Sequence, residues 1–111
     1  MSTAVLSISI SPSSALIIQG TNQKSVCTVT GTPPAQYIFW TRNDVSIVID
    51  NAKYTGGNTG NPSLTINNFQ SSDAGNHVCS ASNAAGTSTS VVSSLTYGCK
   101  NDLVLYKYRF N

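Results

Sequence analysis

The stretch Asp73-Ala74-Gly75-Asn76-His77-Val78-Cys79 decides the reading of this chain. From Asn76 to Ser82 the sequence reads as an extended strand, in which successive side chains point to opposite faces. His77, Cys79 and Ala81 then share one face, and Val78 and Ser80 share the other. Just upstream, Ser63 to Asn67 reads as a second strand through Leu64 and Ile66. Just downstream, the turn Asn83-Ala84-Ala85-Gly86 leads into a further run, Thr87 to Tyr97.

Moving outward, the same pattern recurs. In Val5 to Ile10, Leu6, Ile8 and Ile10 alternate with serines until Pro12 ends or kinks the run. Ala15 to Ile18 is closed by Gly20, and Ser25 to Thr30 contains Cys27. Gly31-Thr32-Pro33-Pro34 is a turn, followed by a run from Gln36 to Arg42 that holds Trp40. Asn43-Asp44 turns the chain into Val45 to Ile49, and a weak strand surrounds Lys53-Tyr54. Gly56 to Pro62 reads as loop. These runs predict eight or nine short strands with no internal repeat. Sustained helical spacing is nearly absent. Short β-branched runs separated by Gly, Pro, Asn and Asp predict an all-β sandwich or barrel.

The 111 residues suit one domain. Only 9% are charged, with no Glu, where soluble domains carry about 25%. So neutral a chain argues against a nucleic-acid binder, which needs many Lys and Arg to neutralise phosphates. Residues 1–98 balance Lys24, Arg42 and Lys53 against Asp44, Asp50 and Asp73. The net charge of +2 therefore comes from residues 99–111, where Lys100, Lys107 and Arg109 outnumber Asp102. No stretch reaches the roughly 18 apolar residues of a membrane helix. Met1-Ser2-Thr3 shows neither a basic n-region nor a compact h-region.

Cys27, Trp40 and Cys79 stand out. Cys27 shares a face with Val29, and Trp40 with Ile38. A disulfide joining two facing sheets, with an indole packed on it, suits a small sandwich core.

On these residues the sequence resembles the immunoglobulin superfamily, and its I-set more than its V-set. Asp73-Ala74-Gly75-Asn76-His77-Val78-Cys79 is similar to the family's D-x-G-x-Y-x-C at the entry to strand F. Ser63-Leu64-Thr65-Ile66 resembles strand E, Gly86 the start of strand G, and Gly20 the approach to strand B. The likeness covers residues 5–97 and extends to modules of invertebrate cell-adhesion molecules and receptors, such as those of sponges. It implies an immunoglobulin-like sandwich of two antiparallel sheets with Greek-key topology over residues 1–98, followed by a basic-aromatic tail, 99–111. It also implies a Cys27–Cys79 disulfide, a core containing Trp40, Leu64 and His77, and an ion pair between Lys53 and Asp73. His77 stands where the family has a corner tyrosine, whose hydroxyl bonds back to the backbone. Gln23 and Ser25 are polar where the family prefers aliphatics.

No catalytic or metal constellation is expected. His77 is the lone histidine, and no HxxxH, CxxC or Ser/His/Asp spacing is present. It reads as a structural corner residue, no cofactor is expected, and the chain is not expected to be an enzyme. Tyr37 and Phe39 alternate with the inward Ile38 and Trp40 and therefore point outward, with Thr41, Val78 and Ser80 on the same face. Exposed aromatics on one face mark a protein-binding patch, unless loops or the tail cover them. Cys99 is the odd cysteine: an intermolecular bridge, a reactive thiol, or a free thiol left by where the chain ends. In the tail, Val104, Tyr106, Tyr108 and Phe110 alternate. It reads as a strand that adds to a sheet edge, as a weak membrane contact, or as a disordered terminus.

The functional expectation is an extracellular or cell-surface recognition and adhesion module that binds another protein, with a homodimer as one form. The alternatives are a structural I-set module of an intracellular muscle-type scaffold and an innate-immune receptor domain for a foreign ligand. Disulfides are rare in the cytosol, which favours the first.

Overall fold

Proline and glycine place the breaks between strands, and a computed structural model of the chain describes residues 5–99. Ten strands form in order: β1 Ser7–Ser11, β2 Ser14–Ile18, β3 Gln23–Thr30, β4 Tyr37–Arg42, β5 Val45–Ser46, β6 Tyr54–Asn58, β7 Asn61–Ile66, β8 Gly75–Asn83, β9 Gly86–Thr89 and β10 Ser93–Gly98. A short 3-10 turn, Ser71–Asp73, precedes β8.

The strands make two sheets. One has the order β1-β3-β7-β6, and the other the order β2-β10-β8-β4-β5 with β9 also paired to β8. The chain changes sheets at Pro12, between β1 and β2. Pairing is antiparallel except between β2 and β10, which run parallel with Leu95 opposite Ala15. The β4–β5 hairpin turns through Asn43 and Asp44, both at positive φ (50° and 68°). Two such residues give a hairpin turn whose twist matches its strands. Asn43 also ties this turn to β8: its N–H donates to the Asn76 carbonyl at 2.8 Å, and its Oδ1 accepts from the Asn76 N–H at 2.9 Å.

The interior is one cluster, Ile17, Cys27, Trp40, Leu64, Ile66, Phe69, Cys79 and Leu95. The Cys27–Cys79 disulfide joins the two sheets at its centre. The Trp40 indole N–H donates to the Pro62 carbonyl at 2.8 Å, so the ring's one polar atom is satisfied.

Three strand expectations need correction. Residues 56–62 are not all loop, because β6 runs to Asn58 and β7 begins at Asn61. Gly56 and Gly57 take positive φ (82° and 66°), which lets the strand bulge and continue. The run 45–49 is strand only at Val45–Ser46. The run 87–97 breaks into β9 and β10, because the Ser90 hydroxyl accepts the Cys79 N–H at 3.0 Å where ladder pairing lapses.

Candidate functional site

β4 lies beside β8 along its whole length, so the alternation of its side chains sorts them cleanly. Trp40 points into the core at 1% exposure, while Tyr37 and Phe39 are 67% and 42% exposed on the opposite face. Across β8 and β9 the register places Tyr37 beside Ser82 and Thr87, and Phe39 beside Ser80 and Thr89. Thr41 pairs with Val78, and both are half-buried. Among the described residues this face carries hydroxyls, aromatics and valine, and no ionised side chain.

Ser80 corrects the expected patch. It is buried, because its small side chain lies between the larger neighbours Phe39 and Thr89, and it offers no surface to a partner. Near it in the chain, Val91 and Val92 are 71% and 47% exposed. They occupy the break between β9 and β10, between the pairs Ser80–Thr89 and His77–Ser93. Their sequence reads as strand interior, and only the Ser90 hydrogen bond reveals the break. Among the described residues no three His, Cys, Asp or Glu side chains gather to hold a metal ion. Among the described residues no helix is long and apolar enough to cross a membrane.

The sequence of residues 7–83 matches the family model described as immunoglobulin domain. The chain belongs to the immunoglobulin-domain family. This is a family of binding and scaffold modules, and the chain is not an enzyme. The immunoglobulin domain is 34% identical over 80 residues to human myotilin, covering 70% of this chain and 16% of myotilin. It is similar to a structure of tandem Ig repeats of Dlar (26% identity, TM-score 0.71, 84% of this chain and 49% of that one). It also shares its fold with titin domain M7 (21% identity, TM-score 0.73, 88% of this chain and 98% of that one). The chain thus spans about a sixth of myotilin and half of the Dlar fragment.

Lys53 Nζ lies 2.6 Å from Asp73 Oδ2, and Asp73 also accepts the Gln70 N–H at 2.8 Å. The Asp50 carboxylate accepts the N–H groups of Tyr54 and Ala52, which lowers its pKa from the ordinary value. Leu64 and His77 are fully buried. His77 Nδ1 bonds the Gly75 carbonyl at 3.2 Å, a link two residues back along its own strand. Burial of the ring lowers its pKa below 6.5, the Gly75 bond opposes this, Arg42 adds to it, and Asp73 opposes it. Cys99 is a free, half-buried thiol whose Sγ lies 3.8 Å from Gln19 Oε1. The tail from residue 100 onward lies outside the described residues, and with it the expected edge strand.

Proposed function

We propose that this immunoglobulin domain is an extracellular or cell-surface recognition module that binds a protein through the outer face of β4, β8 and β9. One observation carries the reading: Tyr37 and Phe39 stand exposed side by side on a sheet face that bears no charge. Aromatic side chains bury large area at small entropic cost, and charge-free centres are cheap to desolvate. A second copy of the chain fits this face, since nothing on it repels itself. The Cys27–Cys79 disulfide supports an oxidising compartment. Val78, Val91 and Val92 extend the contact.

The test is light scattering of wild type, Tyr37→Ala and Phe39→Ala over a concentration series. Noncovalent self-association that either substitution weakens at least tenfold supports the reading. Association unchanged in both variants overturns the face. A monomer at every concentration removes the second copy and leaves a different protein as the partner.

A second reading, one module in a longer chain of such domains, is favoured by partial coverage. The structures that resemble this chain include tandem repeats and four-domain fragments. Native mass spectrometry separates the compartments: Cys27 and Cys79 found as thiols in protein from its source would contradict an extracellular site.

A further inference from the structure

Ser25 Oγ and His77 Nε2 are buried and have no hydrogen-bond partner among the described residues. Each lies two residues before one half of the disulfide, on the same inward face as its cysteine. β3 starts at the pole where Gly20 bonds Phe69 and Gln19 bonds Gly98. β8 starts there too, since Gly75 pairs with Leu95 of β10. At the other pole the Asn83 amide donates to the Pro33 carbonyl, so both strands also end together. The two strands therefore run the same way across the sandwich, and Ser25 and His77 occupy facing positions in the layer beside the disulfide.

The His77 ring is fully buried. Its Nδ1 faces the Gly75 carbonyl, which only accepts, so Nδ1 carries the proton and Nε2 is the bare lone pair of a neutral ring. A second proton must go to Nε2. Of the charged groups around it, Arg42 disfavours a cation more than Asp73 favours one. From β4, Arg42 lies opposite in register. From the 3-10 turn, Asp73 is engaged by Lys53 and the Gln70 N–H. β10 places Ser93 opposite, and β3 offers Ser25, neither of which ionises here.

The geometry points to His77 as an acid-sensitive latch between the two sheets, whose protonation at Nε2 puts an unpaired charge into a sealed layer and drives that layer open while the disulfide keeps the sheets tied. The device works whatever protein the outer face binds. The unfolded chain takes the proton near its ordinary pKa of 6.5, and the folded chain resists it. The stabilisation is complete above that pH and falls away below it. The unfolding equilibrium constant then rises at most about tenfold per pH unit, or about thirtyfold between pH 7.5 and 5.0. Carboxylates titrate lower, near pH 4.

The experiment is urea unfolding of the whole chain at pH 7.5, 6.0 and 5.0, for wild type and His77→Phe, with NMR of the histidine ring alongside. The chain has one histidine, so the signal needs no assignment. Wild type is expected to lose stability toward the thirtyfold limit while the folded-state signal stays in its neutral position. His77→Phe is expected to be flat over the same range. Equal wild-type stability at pH 7.5 and 5.0 would overturn the latch. So would a folded-state signal that titrates near 6.5, or a His77→Phe variant that keeps the full dependence. Should His77→Phe not fold, the wild-type pair of measurements decides alone.

Discussion

Lys53 Nζ sits 2.6 Å from Asp73 Oδ2 and also donates to the Asn68 carbonyl at 2.8 Å, so one lysine, just before β6, ties the chain to the 3-10 turn and to the segment before it. The two ends of the pair are unequal. The Asp73 side chain is 3% exposed and the Lys53 side chain 31%. Removing the carboxylate strands a lysine that water can reach, but also strips the Gln70 N–H of its acceptor. Removing the lysine leaves a buried charge held by backbone. Asp73→Ala is expected to cost about 3 kcal/mol. Lys53→Met, which keeps the stem and leaves the carboxylate held by the Gln70 N–H and the Tyr54 hydroxyl, is expected to cost about 1 kcal/mol. Urea unfolding at neutral pH measures both, and equal costs would refute the asymmetry.

Gly56 and Gly57 are expected to be irreplaceable in different degrees. At Gly56, with φ +82°, an added Cβ would run into the Ser63 backbone carbonyl, which has no room to yield. At Gly57, with φ +66°, it would stand 3.2 Å from Trp40 Cδ1 and from Ile49 Cδ1, tight but against side chains. Gly56→Ala is expected to destabilise by about 3 kcal/mol or more and Gly57→Ala by about 2 kcal/mol, both including the left-handed backbone penalty. Thermal unfolding of the two variants ranks them, and the reverse order would count against the bulge described for β6.

These glycines also mark where sequence reading stops. Alternation exposes the strands that carry Leu64, Trp40 and Cys79, because an inward side chain every second residue is a local property. A bulge is not local. Gly56-Gly57 looks like any flexible linker until β7 lies beside it and supplies the Ser63 carbonyl. Ser90 hides its role for the same reason: its hydroxyl breaks the last strand only because Cys79 is its neighbour across the sheet. Alternation placed Tyr37 and Phe39 on the outer face correctly. It failed at Ser80, since it assigns a side and not the height of the neighbours. Phe69 is fully buried, yet it lies between strands and has no periodic signal.

The two faces of β4 give opposed expectations. Trp40→Phe loses the indole bond to Pro62 and part of the core volume, and is expected to cost about 2–3 kcal/mol. Tyr37→Ala and Phe39→Ala remove exposed rings and are expected to change stability by less than about 1 kcal/mol each. Denaturant midpoints check this without any ligand. A large loss in Tyr37→Ala would mean that the ring is structural, and the recognition face would lose its central residue.

Cys99 offers a second, chemically distinct route to association. The chain has three cysteines, two of them joined to each other, which leaves one thiol per chain. Thiol titration of the native protein is expected to find one reactive group, absent in Cys99→Ser. The thiol follows the last residue of β10 and is partly accessible, so oxidation at high concentration is expected to give a covalent dimer that reductant dissolves. Contact through Tyr37 and Phe39 would instead survive both reductant and Cys99→Ser. Nonreducing gels and light scattering on the same samples separate the two. A covalent dimer that persists in Cys99→Ser would require the Cys27–Cys79 bridge to have opened, contradicting a disulfide sealed in the core.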